Sequence, residues 1–398
     1  FDIRRLRMTV KDQVAALKDE LIELRRDFHM HPELGFEEYR TAEKVEQFLK
    51  DIGLTPKRVA KTGVMATLEG ARPGPTLLLR ADMDALPIHE ENQVPYKSQN
   101  DGVMHACGHD AHTAMLLAAA KVLVNEQDQI SGRIKFLFQP NEETAGAEIL
   151  IEQGALKDPV PDAAMGIHIW TPLKSGLIGV QAGAVMATMD VFKITVKGKG
   201  GHTGYPESAV DPIMAAADLI QNAQRIQTRE ISLMKPTVIM FGKIQGGSKN
   251  NIIPDDVVLE GTMRYLYEGG PDSSENPPKR LKHLAESVCE THGCSCEVEI
   301  ERENTAVINH PAMVQLARET AKEIIGDENR VVPHASMAGE DFAAYASRVP
   351  AVFAFLGTGN AAKETDFPHH NPRFNIDEDV MPLGVEFFVE GALKYLAK

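Results

Sequence analysis

The sequence predicts an α/β protein: a larger domain built on a mostly parallel central sheet, with a smaller α+β domain inserted into it. Three observations predict the layout. Four short runs are apolar on both faces, namely TLLLRADMD (76 to 84), IKFLFQP (134 to 140), AAMGIHIW (163 to 170) and AVFAFLGTG (351 to 359), as strands of a buried parallel sheet are. Helical stretches such as HTAMLLAAAKVLV lie between them, which is the alternation of α/β architecture. The middle of the chain instead carries strands that alternate like half-exposed ones, and 398 residues are more than one core usually organises.

Taken in order, Val14, Leu17, Leu21 and Leu24 recur every three or four residues among charges, so an amphipathic helix is expected to end near His31-Pro32. The four buried runs follow as strands. Between the third and fourth, VFKITVKGKG (191 to 200) reads as a strand, DPIMAAADLIQNAQRI as a helix, and TVIMFGKI and DVVLEGTMRYL as strands. KRLKHLAESVCETHG is a helix closing at Gly293, and CEVEIERE is the last strand of this part. The order β-α-β-β-α-β is the ferredoxin-like signature. Domain boundaries are therefore expected at 1-186, 187-303 for the insert, and 304-398 for the return of the larger domain.

Composition narrows the function. Lys and Arg number 42 against 57 Asp and Glu, a formal charge of -15, which repels phosphate backbones and argues against nucleic acid as a partner. The longest apolar stretch, AMLLAAAKVLV, falls short of the ~20 residues a bilayer requires. The opening FDIRRLRMTVKDQ has arginine but no apolar core, unlike a secretory signal. Four cysteines in so long a chain make no disulfide framework, so a reducing, cytoplasmic setting is expected.

In open α/β sheets ligands sit beyond the carboxyl ends of the strands, and Asp82, Asp84, Glu142, Glu143 and His168 all fall at or just past those ends. His105, Cys107, His109 and His112 put three imidazoles and a thiol within eight residues, a concentration of metal-binding side chains. Any one of them alone would more often be a buried structural residue. Glu142 and Glu143 are expected to open a helix after a buried strand. There, one carboxylate could bind a metal while the other faces a water, or both could simply complement the helix dipole. His168 lies in an apolar run, where a core histidine donating to a carbonyl is the plain alternative, and His369-His370 sits in a polar loop.

The motifs RADMDALP, HACGHDAHTAMLL, FQPNEE, GIHIW, GKGGHTG, NIIPDD, AGEDFA and HHNPRF occur in an order and spacing that resemble the M20 metallopeptidase superfamily. Among its members the resemblance is nearest to the amidohydrolase branch of hippurate hydrolases, N-acyl-amino-acid aminoacylases and plant auxin-conjugate hydrolases. It spans nearly the whole chain, and implies a zinc-peptidase-like catalytic domain with two divalent metal ions (zinc, manganese, cobalt or nickel) and a ferredoxin-like lid or dimerisation domain. By the same resemblance Cys107, His109, Glu143, His168 and His370 ligate metal, with Cys107 where peptidase relatives carry a bridging Asp. Glu142 matches the general base and Asp84 the carboxylate that orients the site. Asp82 stands where those relatives often have a metal-binding histidine. His202 resembles a lid histidine that reaches the partner subunit's site, while Asn251 and Arg264 match residues that hold the substrate's carbonyl and carboxylate. The implied assembly is a homodimer or tetramer.

Two positions depart from the pattern: Asn141, where relatives most often read QPAEE, and Tyr205 in HTGYPE, where a small residue is usual. The expected activity is metal-dependent hydrolysis of N-acyl amino acids. The alternatives are a dipeptidase or aminopeptidase, which should need an acidic anchor for a free amine, and a non-catalytic metal-binding scaffold, against which the intact Glu142 argues. GKGGH lacks the ending of a P-loop, and the chain has neither G-x-S-x-G nor H-E-x-x-H. Cys289, His292, Cys294 and Cys296 lack the spacing of a zinc finger.

Overall fold

Four strands, Ser131–Gln139, Arg72–Asp82, Ala163–Lys174 and Ala351–Gly359, lie side by side and parallel at the centre of an eight-stranded mixed sheet. This is the α/β class read from the sequence, and each of the four covers one of the apolar runs. The computed structural model describes residues 8–270 and 273–397. The opening Phe1 to Arg7 of the segment read as lacking a secretory signal lies outside the described residues. Two elements carry no strong sequence signal: the antiparallel pair Lys57–Val59 and Gly63–Glu69, which extends one side of the sheet, and the two-residue strands Ile178–Gly179 and Val331–Val332 on the other. The first helix is broken in two at Leu17, as Val10–Ala16 and Lys18–Met30.

The chain divides into two compact units, Phe1–Gly183 with Ile308–Ala335 and Asp341–Lys398, and Ala184–Val307 with Ser336–Glu340. Ser336–Glu340, which the sequence reading left with the larger domain, clusters with the second unit, where Ser336 N donates to Val185 O and Ala187 N to Ala338 O.

In the larger unit the helix His109–Asn125 is buried on nearly every side, which explains why its sequence is apolar all round and not amphipathic. It packs on the sheet and against the helix Met381–Leu396, where Gly384 lets the Met115 sulfur approach to 2.3 Å from the place a Cβ would take. Leu117 and Phe388 have no solvent exposure. Truncating Leu117 to Ala would cost about 2–5 kcal/mol. That cost is what fixes the start of the helix, and His109 with it.

The second unit has an antiparallel sheet in the order Thr237–Gly246, Asp256–Tyr265, Thr188–Lys197, Ser295–Asn304. Helices Pro212–Arg225 and Pro277–Thr291 pack on it, and the chain runs β-α-β-β-α-β through these elements. No described helix is long and apolar enough to cross a membrane.

Candidate metal centre

The strand Arg72–Asp82 delivers Asp82 and, two residues on, Asp84; the helix His109–Asn125 begins where the strand's exit loop returns. Between Cys107 and His109 the chain turns at Gly108, with φ 92°, and a Cβ there would lie 2.2 Å from Ile169 Cδ1. Only glycine fits that left-handed, crowded position. The turn is what brings a thiol and an imidazole to one spot.

His109 Nδ1 faces Asp84, at 2.9 Å from its carbonyl and 3.2 Å from Oδ1. Nδ1–H therefore donates toward Asp84, and Nε2 is the nitrogen left to meet another partner. His168 repeats the device: Nδ1 donates to Ile169 O at 2.6 Å, and Nε2 lies 3.6 Å from Cys107 Sγ. The carbonyl bond expected of a core histidine is thus present in His168, and it is what turns Nε2 toward Cys107.

Glu142 and Glu143 do not open a helix. They occupy a single 3-10 turn, Glu142–Thr144, bracketed by left-handed Asn141 (φ 56°) and Ala145 (φ 61°). The tight turn brings Glu142 Oε2 to 3.9 Å and Glu143 Oε1 to 4.0 Å from His109 Nε2. Glu143 N donates to Asp84 Oδ2 at 3.0 Å, and Asp341 N donates to Glu142 Oε1 at 3.3 Å. His370, itself left-handed at φ 63°, is tied by its N–H to Ala106 O and sets Nε2 3.3 Å from Glu143 Oε1.

These contacts gather donors into small groups whose atoms lie within 4.8 Å of one another: Cys107, His109 and His168; Cys107, Glu143 and His370; His109, Glu142 and Glu143. The first two share Cys107. His109 Nε2 and Glu143 Oε1 are buried with no hydrogen-bond partner, which costs about 1–3 kcal/mol each unless something else satisfies them. Although burial opposes it, the carboxylates of Asp82, Asp84 and Glu143 raise the His109 pKa to about 10. Burial, and then Glu143, Glu142 and Asp82, push the Cys107 thiol well above its ordinary value. A site that binds protons this tightly favours positive charge, and a thiolate, two imidazoles and carboxylates are the donors a divalent transition metal takes.

Other residues of the sequence cluster are occupied elsewhere. Asp82 Oδ1 accepts from His112 Nδ1 at 2.6 Å and Oδ2 from Arg80 Nη1 at 2.6 Å, so both oxygens are engaged and Asp82 acts as a support for its neighbours. Burial would raise the Asp82 pKa, but His109, Arg80 and His112 outweigh it and hold it well below the usual carboxylate range. His112 Nε2 accepts Ile169 N, leaving neither ring nitrogen for a metal. His105 is buried and belongs to none of the converging groups among the described residues; burial lowers its pKa to about 4. His369 stacks on Trp170 and donates to Ile169 O. The Cys289 set does not converge: His292 Nε2 meets Asp218 and Cys294 Sγ points at Asp211 O.

Sequence reasoning missed Arg80, Gln139, Asp341 and Glu38. Arg80 is buried between Asp82 and Asp341, and Gln139 donates to Asp341. Glu38 accepts from Asn141 N and Thr62 Oγ1, and burial lifts its pKa to about 7. An arginine inside a buried strand run was the one available signal. Asn141 is itself buried, accepting Thr144 Oγ1 at 2.7 Å, so it shapes the turn.

In the second unit His202 and Asn251 line one open cleft, with His202 opposite Ile252 in a short antiparallel pair. His202 Nδ1 accepts Gly204 N, which leaves Nε2–H as the outward donor, and exposed Tyr205 stands beside the ring. Arg264 is half-buried; its one described partner is Met337 O at 3.2 Å, and burial alone lowers its pKa.

The model of peptidase family M20/M25/M40 matches residues 78–394. Thermostable carboxypeptidase 2 of Saccharolobus solfataricus is 37% identical, with 98% of both chains covered. N-acetylcysteine deacetylase of Bacillus subtilis is 36% identical over 95% of this chain and 97% of its own. Among solved structures, a Bacillus subtilis protein described as a dinuclear metal-binding peptidase from the M20 family superposes with a TM-score of 0.83 at 33% identity, covering 96% of this chain and 99% of that one. With this match and this donor set, the chain belongs to peptidase family M20/M25/M40 and is an enzyme that hydrolyses amide bonds at a metal centre.

Proposed function

We propose that the enzyme hydrolyses the amide of N-acyl and N-aroyl amino acids, releasing a carboxylic acid and the free amino acid. The observation that carries this reading is Arg264, a half-buried guanidinium with no carboxylate among its described partners. Such a group is suited to a substrate carboxylate through a bidentate contact. The relatives fit: a carboxypeptidase and a deacetylase of N-acetylcysteine both cut an amide whose amine side bears a free carboxylate.

On this reading Cys107, His109, Glu143, His168 and His370 would hold two divalent ions drawn from zinc, manganese, cobalt and nickel. When bound, the ions supply Lewis acidity and make water acidic enough to attack near neutral pH. Glu142 takes the proton from the attacking water and delivers it to the leaving amine. Its Oε1 is steadied by Asp341 N, and its Oε2 lies 3.9 Å from His109 Nε2. Asp84 fixes the ring of His109 and the backbone of Glu143 together. His202, with Nε2–H as its available donor, stabilises the carbonyl oxygen as charge develops, Asn251 orients that carbonyl, and Arg264 selects the carboxylate. The resemblance further implies that His202 serves a partner copy in a homodimer or tetramer.

A panel of N-acetyl and N-benzoyl amino acids, the matching amides without a carboxylate, and free dipeptides tests the reading. Turnover confined to N-acylated substrates with a free carboxylate is expected. Preference for dipeptides with a free amine would instead favour a peptidase.

A further inference from the structure

Arg80 lies near the end of the strand Arg72–Asp82, in the part buried on both faces, and its side chain is 2% exposed. A buried charge persists only when its donors are matched. Here each of its three nitrogens has an acceptor: Nη1 meets Asp82 Oδ2 (2.6 Å), Nη2 Asp341 Oδ1 (2.8 Å) and Nε Gln139 Oε1 (2.9 Å). The two carboxylates lead to different parts of the metal centre.

From Asp82 the path runs to His112 Nδ1 (2.6 Å), from His112 Nε2 to Ile169 N (2.9 Å), and from Ile169 O to His168 Nδ1 (2.6 Å). It ends on the ring whose Nε2 faces Cys107. From Asp341, whose carboxylate is also held by Gln139 Nε2 and Ala147 N, the path leads through its own backbone N–H to Glu142 Oε1 (3.3 Å). The planar fork of one guanidinium therefore spans two arms that a lysine ammonium, a single point of charge, cannot span together.

We propose that Arg80 is a positioning residue with two separable outputs, setting the orientation of the ligand His168 through Asp82 and His112, and that of Glu142 through Asp341. The second output rests on the reading of Glu142 as the base; the first does not.

The test separates the arms in the full-length protein. His112→Asn keeps a donor for Asp82 but cannot reach Ile169 N; zinc affinity by calorimetry is expected to fall about 10- to 100-fold, with kcat at saturating zinc within about twofold of wild type. Asp341→Asn is expected to leave zinc affinity within about twofold and KM unchanged while kcat falls at least about tenfold. Arg80→Lys should show both losses. Circular dichroism and a cooperative melt check folding. Should Asp341→Asn not fold, Tyr345→Phe removes the hydroxyl on Gln139 Oε1 and is the milder cut, with a several-fold loss of kcat alone. Identical profiles for the His112 and Asp341 arms, or wild-type zinc affinity in both Arg80→Lys and His112→Asn, would overturn the proposal. The affinities need no substrate, so they decide the ligand arm even if no N-acyl amino acid is turned over.

Discussion

One carboxylate, that of Asp84, grips His109 and the turn that carries Glu143 at the same time: Oδ1 lies 3.2 Å from His109 Nδ1, and Oδ2 accepts Glu143 N at 3.0 Å. Both contacts are donor to acceptor. Two elements far apart in the sequence, the start of a helix and the end of a strand, are thereby set in one frame for a cation.

Asp84→Asn makes one of those contacts donor against donor, whichever way the amide is turned. Metal affinity is expected to fall about 10- to 100-fold, read by titration of the metal-free protein. Unchanged affinity would remove Asp84 from its orienting role.

Cys107→Asp replaces a soft thiolate with a hard carboxylate at the residue common to two donor groups. Preference is expected to move from zinc toward manganese without loss of binding. Competitive metal titrations that show the wild-type order would exclude Cys107 as a ligand.

Arg264→Met is expected to lower kcat/KM about 10- to 100-fold for N-acyl amino acids, the scale of one lost charged hydrogen bond. Amides lacking the carboxylate should be nearly unaffected. Equal losses on both substrate types would show that Arg264 does not read the carboxylate.

Lys135 tests the electrostatics away from the centre. Its ammonium is buried, donating to Lys157 O and Pro159 O, and burial lowers its pKa to about 8 from an ordinary 10.5. The folded state then binds this proton less tightly than the unfolded chain. The group is a penalty below pH 8 that fades as pH rises toward 10.5. Stability of the wild type relative to Lys135→Met should therefore increase between pH 8 and 10, measured as the difference in urea midpoints. A difference that stays flat across this range would contradict the assignment.

The sheet centre was legible because strands such as Ala351–Gly359 are buried on both faces and say so in composition. The hairpin of Lys57–Val59 and Gly63–Glu69 was not, since its first strand is too short to show a period. The candidate metal donors are legible by residue type, and Cys107, His109, Glu143, His168 and His370 converge in small groups. Spacing alone could not tell His109 from His112, one helical turn away. The difference lies in which ring nitrogen each partner leaves open, and those partners are Asp84, just past one strand, and Ile169, within another. Arg80 and Asp341, 261 positions apart, meet only in the folded sheet. The helix expected at Glu142 gave way to a turn because left-handed Asn141 and Ala145 end it on both sides.

Glu142→Gln, compared with wild type at equal and full metal occupancy, tests most directly whether Glu142 moves the proton at a centre held by Cys107, His109, Glu143, His168 and His370. The amide keeps the shape and removes the base, so metal content should be unchanged and kcat on an N-acyl amino acid should fall at least about 10²-fold. Turnover close to wild type in the fully loaded variant would contradict the account.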